Sequence, residues 1–86
     1  MSIEFQIQQE LEKLGYSILN TVTVYSDCNG KPYSVKGTAY SERCPVEGDE
    51  LKLLDSKFIC DKVIDITTDE ENDEGLSYLE FELNTI

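Results

Sequence analysis

SILNTVTVYSDCNGKPYSVKGTAYS, residues 17–41, decides the fold of this 86-residue chain. Two runs rich in β-branched and aromatic residues flank Cys28-Asn29-Gly30-Lys31, and Asn-Gly supplies the positive φ angles of a type I′ hairpin turn. With Cys28 facing Lys31, Val24 stands opposite Val35, Val22 opposite Gly37 and Asn20 opposite Ala39, so apolar or small residues share one face. The other face then pairs Tyr25 with Ser34, Thr23 with Lys36 and Thr21 with Thr38, and sets Tyr40 against Leu19.

Upstream, Ile3, Ile7, Leu11 and Leu14 recur at helical spacing, with Ser2 as N-cap, Glu4 in the first turn and Gly15 as the stop. The alternation Ile3, Phe5, Ile7 would also suit a strand, but the longer stripe favours a helix over 2–15. Downstream, Pro45 and Gly48 mark residues 42–49 as a connection. A short strand is expected over 50–54, a turn at 55–57 and a longer strand over 58–67. Along that longer strand the alternation points Phe58, Cys60, Ile64 and Ile66 inward around Lys62, and Asp61 and Asp65 outward. An acidic loop, 68–75, leads to a last strand over 76–84, with Leu79, Phe81 and Leu83 inward and Tyr78, Glu80 and Glu82 outward. The sum is a single acidic α+β domain over 1–86. Its helix packs on an antiparallel, meander-like sheet or small barrel of about five strands.

Composition limits what such a surface can touch. The net charge is −11 with no histidine; residues 1–48 are net −2 and residues 49–86 net −9. Ile, Val, Leu and Phe make up 24 of the 86 residues, enough to collapse into a folded core despite the charge. The field repels phosphate backbones and anionic lipid, so no direct nucleic-acid partner and no membrane are expected. The first residues hold no basic region followed by an apolar run, and a cytoplasmic protein is expected. Cys28, Cys44 and Cys60 lack the paired spacing of a zinc site and read as free thiols in a reducing compartment.

Without histidine, a nucleophile elbow, a P-loop or a dinucleotide glycine pattern, the chain does not read as an enzyme and implies no cofactor. Asp69, Glu71, Asp73 and Glu80 fall at positions one, three, five and twelve of a calcium loop. The sixth position, however, is Glu74, with Gly75 one place late, and the loop joins strands rather than helices. Only weak cation binding and no dedicated metal site follow.

The remaining reading treats the carboxylates as a surface. Outward residues on a strand repeat every ~6.6 to 6.8 Å, so Asp61, Asp65, Glu80 and Glu82, with Asp69, Glu70, Glu71, Asp73 and Glu74 at the tip, would form a negative band. A basic groove built to track phosphates about 3.4 Å apart would accept such a band. The expected partner is a basic nucleic-acid-binding protein, a defence nuclease or polymerase. The chain would inhibit it by nucleic-acid mimicry, as phage-encoded anti-CRISPR or anti-restriction proteins do, in the host cytoplasm. Tyr78, and after it Tyr40, would be the desolvated anchors. The competing reading is a structural or adaptor β-domain, with a dimer left open, that uses its hairpin or a sheet edge while acidity serves solubility.

Overall fold

Ser2 opens helix α1 (Ile3–Lys13): its extended backbone enters the first turn and its Oγ accepts from the Phe5 N–H at 3.3 Å. Glu4 near the start and Lys13 near the end complement the helix dipole. The helix stops in a Schellman motif. Gly15, at φ +102°, donates to the Glu12 carbonyl and Tyr16 to the Leu11 carbonyl, so Leu14 becomes the C-cap and projects into solvent. Ile7 and Leu11 are fully buried, each worth ~1.5 to 3 kcal/mol of transfer free energy, and Ile3 packs beside them.

Among the described residues five strands follow: β1 (Ile18–Ser26), β2 (Pro32–Tyr40), β3 (Glu50–Leu53), β4 (Ser56–Asp65) and β5 (Tyr78–Thr85). The structure is a computed structural model that describes residues 2–66 and 77–86. All strand pairs are antiparallel, in the order β1-β2-β5-β4-β3. The fold is therefore the α+β arrangement read from the sequence, with an open sheet rather than a closed barrel. The last three strands form a meander. The connection over residues 41–49, which begins with a 3-10 turn (Ser41–Arg43), carries the chain from β2 to the far edge, a Greek-key return. Helix α1 lies against β1 and also touches β3, so it covers one face of the sheet from edge to edge.

The first hairpin forms where expected, but with different turn chemistry. Asp27 N–H donates to the Lys31 carbonyl, Gly30 N–H donates to the Asp27 carbonyl, and the Asp27 carboxylate accepts from the Asn29 and Lys31 N–H groups. Only Gly30 takes a positive φ, +80°, so this is a three-residue loop with a glycine bulge and not a type I′ turn. Both central residues at positive φ occur instead at Leu54 (+47°) and Asp55 (+64°), the two-residue turn between Leu53 and Ser56. The expected turn at 55–57 thus falls one residue earlier. The register holds for Thr23–Lys36, Val24–Val35 and Tyr25–Ser34, and then shifts. A bulge with Asn20 at φ +60° puts Ile18 opposite Ala39 and Leu19 opposite Thr38, so Asn20 does not face Ala39 and Leu19 does not face Tyr40.

A second bulge corrects the reading of β4. Cys60 pairs with Leu83, and the next pair is Lys62 with Glu82, which leaves Asp61 as an extra residue. Beyond it Val63 pairs with Phe81 on the core side, while Ile64, opposite Glu80, and Ile66 are exposed. Ile64 and Ile66 are therefore outward, and Lys62 is not enclosed by the core. Burying an unpaired ammonium costs far more than exposing two isoleucines, and the bulge avoids that cost. The core contains Val22, Val35, Ala39, Leu51, Leu53, Phe58, Cys60, Phe81 and Leu83 under Ile7 and Leu11. Among the described residues no helix is long and apolar enough to cross a membrane.

Candidate functional site

The face of the sheet away from α1 carries most of the described residues singled out by the sequence. Its rows follow from strand register. Nearest the end where β2 leaves the sheet, Tyr40 stands opposite Tyr78, with ring centroids 5.4 Å apart and a 42° tilt, and Ile66 donates its N–H to the Tyr78 carbonyl from the other side. The next row is Leu19, Thr38, Glu80 and Ile64. The third is Thr23, Lys36, Glu82 and Lys62, and in the fourth Tyr25, Ser34 and Asn84 lead to Asp61.

Tyr78, Glu80, Glu82 and Asp61 thus share this face. Asp65 does not: it lies opposite Leu79 on the side of the core, exposed at the strand end, because the bulge reverses the alternation that pointed it outward with the others. Asp69, Glu70, Glu71, Asp73 and Glu74 lie outside the described residues, as does all of the suggested calcium frame except Glu80.

The carboxylates on this face are not electrostatically alike. Asn84 Nδ2 donates to Asp61 at 2.6 Å and to Glu82 at 3.2 Å, tying those two together. Glu82 also meets Lys36 Nζ at 3.3 Å and has Lys62 on its other flank. The hydrogen bond from Asn84, then that from Lys36, holds the Glu82 carboxyl below the usual glutamate value. Lys36 in turn sits 5.6 Å from the centre of the Tyr25 ring. Toward the β3 edge, Lys57 pairs with Glu50 at 2.7 Å. Taken together, Glu50, Asp61, Glu80 and Glu82 are balanced by Lys36, Lys52, Lys57 and Lys62, so this part of the face is close to neutral.

Glu80 differs from Glu82: among the described residues no cation pairs with it; Thr38 and Ile64 flank it across the strands, Tyr78 and Glu82 along its own strand, and Leu19 lies beyond Thr38. The result is an aromatic and aliphatic patch beside one carboxylate, at the end of the sheet where β4 reaches Asp65 and β2 leads into Glu42 and Arg43; Glu47 and Asp49 lie further along β4, Glu47 accepting from the Val63 N–H and Asp49 paired with Cys60. Sequence reasoning found Tyr78, Tyr40 and Glu80 and put Leu19 on the same face, though opposite Tyr40 rather than Thr38, but missed Ile64 and Ile66. The signal for those two was Lys62, a charge at the centre of a run read as core.

The bulge in β1 opens a groove of about 350 Å³ beside this patch, lined by Leu19, Thr21, Thr23, Lys36, Thr38 and Glu80 among others. It is shallow and open, with no enclosed chemistry-bearing cluster. The thiols are apart from this face: Cys28 is exposed in the hairpin loop, while Cys44 and Cys60 are in the core. Burial, with the neighbouring Cys60 second, pushes Cys44 up to about 11, and burial likewise raises Cys60. Among the described residues no group of three histidine, cysteine or acidic side chains is arranged to hold a metal ion. No family model, no curated protein and no solved structure matches this chain.

Proposed function

We propose that this chain is a small non-enzymatic inhibitor that docks on the basic nucleic-acid-binding groove of another protein, a defence nuclease or polymerase, and excludes its substrate in the cytoplasm. The observation that carries the reading is the patch of Tyr40, Tyr78, Ile64 and Ile66 beside Glu80, with Leu19 in the same row, in a molecule of net charge −11. Aromatic and aliphatic anchors supply affinity, while the surrounding carboxylates attract and orient a cationic partner.

The geometry changes the mechanism expected from the sequence. A continuous ladder from Asp61 to Glu82 does not carry the mimicry, because Asp65 is on the other side and Glu82 is held between lysines. The contact narrows to the Tyr78–Glu80 end. A second reading, an adaptor β-domain whose acidity serves solubility, is favoured by the balance of four carboxylates, Glu80 included, against four lysines on this face.

The two differ in measurable ways. Proteins recovered on the immobilised chain are identified, and the inhibition of each nucleic-acid enzyme among them is titrated at low and high salt. The inhibitor reading expects competition with nucleic acid, affinity that falls with salt, and a loss of about tenfold or more for Tyr78→Ala. Association that ignores salt, or that survives both Tyr78→Ala and Glu80→Lys, refutes it.

A further inference from the structure

An open sheet has two edges, and here they are guarded unequally. β3 is four residues long and carries Glu50 and Lys52, with Lys57 alongside, the short charged edge that resists pairing with another chain. β1 is nine residues long, and from Leu14 to Ser26 the chain has no charged residue and no proline. Its protection is the bulge around Asn20. Beyond the bulge, Thr23, Val24 and Tyr25 keep regular register with β2 on one side, while among the described residues no strand pairs with β1 on the other.

We propose that this edge of β1 is a self-association surface, on which residues 22–26 pair antiparallel with the same segment of a second copy about a two-fold axis. Charge selects the occupant. Two molecules of net −11 repel over most approaches, and an uncharged strand lets them meet without setting like charges opposite one another. Register selects the axis. Core-facing residues must stay opposite core-facing residues, a condition met by a two-fold axis at the centre of the segment, where Val24 meets its symmetry mate and Thr23 meets Tyr25. The contact joins two five-stranded sheets into one of ten strands and leaves the Tyr78–Glu80 patch open on each copy.

Salt separates this contact from docking on a basic partner, because screening strengthens like-charged association and weakens opposite-charged association. Sedimentation equilibrium of the full chain, up to about 300 µM in about 0.05 and 0.5 M salt, should show the mass rising from 9.8 kDa toward twice that value, with affinity at least about tenfold higher in high salt. Amides of residues 22–26 should gain exchange protection with concentration. Thr23→Glu places a carboxylate opposite Lys36 of its own chain, which preserves the fold, yet carries a charge into the shared edge. It should weaken the dimer about tenfold or more at unchanged melting temperature, whereas Thr23→Gln should not. A wild-type chain that stays monomeric at the highest concentration and salt overturns the proposal. So does a dimer that a folded Thr23→Glu chain retains, or one whose protected amides lie elsewhere.

Discussion

Gly37→Ala tests the packing that holds the sheet together. A Cβ at Gly37 would lie 2.8 Å from Phe81 Cζ and 2.9 Å from Val22 Cγ1, against an optimum of ~3.5 to 4.0 Å for carbon pairs. Neither neighbour can retreat into solvent: Phe81 is 0% exposed and Val22 is 2% exposed. Overfilling a closed core costs ~1 to 3 kcal/mol. Removing a glycine returns ~0.4 to 1 kcal/mol through the unfolded chain. The net expectation is a loss of about 1 to 2 kcal/mol, which for a domain of this size lowers the melting temperature by roughly 4 to 16 °C. Urea unfolding followed by circular dichroism measures it, with an unchanged m-value showing that the denatured state is not what moved. Combining Gly37→Ala with Phe81→Leu should recover most of the alanine's cost, a coupling of about 1 kcal/mol. A Gly37→Ala chain as stable as the wild type, or effects that simply add, would refute the close approach of Phe81 and Val22 over β2.

Other expectations concern single side chains. Cys28 should react with a thiol reagent at neutral pH in the folded chain, whereas Cys44 and Cys60 should react only on unfolding, as mass-shifted species in a timed labelling experiment will show. Because burial raises Cys44 above its ordinary value of 9.0, the unfolded chain releases that proton first. Stability should therefore fall as pH rises from about 9 to about 11, and fall less in Cys44→Ala, which denaturant midpoints across that range will report. Glu82 is shifted the opposite way: its contribution is present above the ordinary glutamate range and disappears as pH falls through its lowered folded value. Carboxyl NMR titration should place it low in the wild type and higher in Lys36→Met or Asn84→Ala. Asp55→Gly relieves a positive φ at an exposed turn position and should raise stability by about 0.5 kcal/mol in urea unfolding.

Local signals made much of this fold legible, and long-range register hid the rest. Ser2, the stripe Ile3-Ile7-Leu11 and Gly15 are within a few turns of one another, and each acts where its chemistry predicts. The hairpin was visible because Asn29-Gly30 punctuates two β-rich runs, although Asp27 captures the loop and turns the same glycine to a different purpose. The bulges at Asn20 and Asp61 were not visible. An inserted residue preserves the alternation on either side of itself, and only pairing with another strand reveals the slip. That slip, rather than any error of composition, removed Asp65 from the expected band and brought Ile64 and Ile66 to the surface. Tyr40 and Tyr78, 38 positions apart, were chosen separately from the sequence, and the pairing of β2 with β5 makes them neighbours.

Asp61 also sets how β4 tolerates changes in its length. Since it is the one residue of β4 without an opposite number between Leu83 and Glu82, a single-codon deletion of Asp61 closes the ladder while every other side chain of the strand keeps its side of the sheet. Removing Val63 instead would slide one flank past its partners and exchange greasy for polar along the affected stretch. In β4, then, Asp61 is dispensable as a spacer and its neighbours are not.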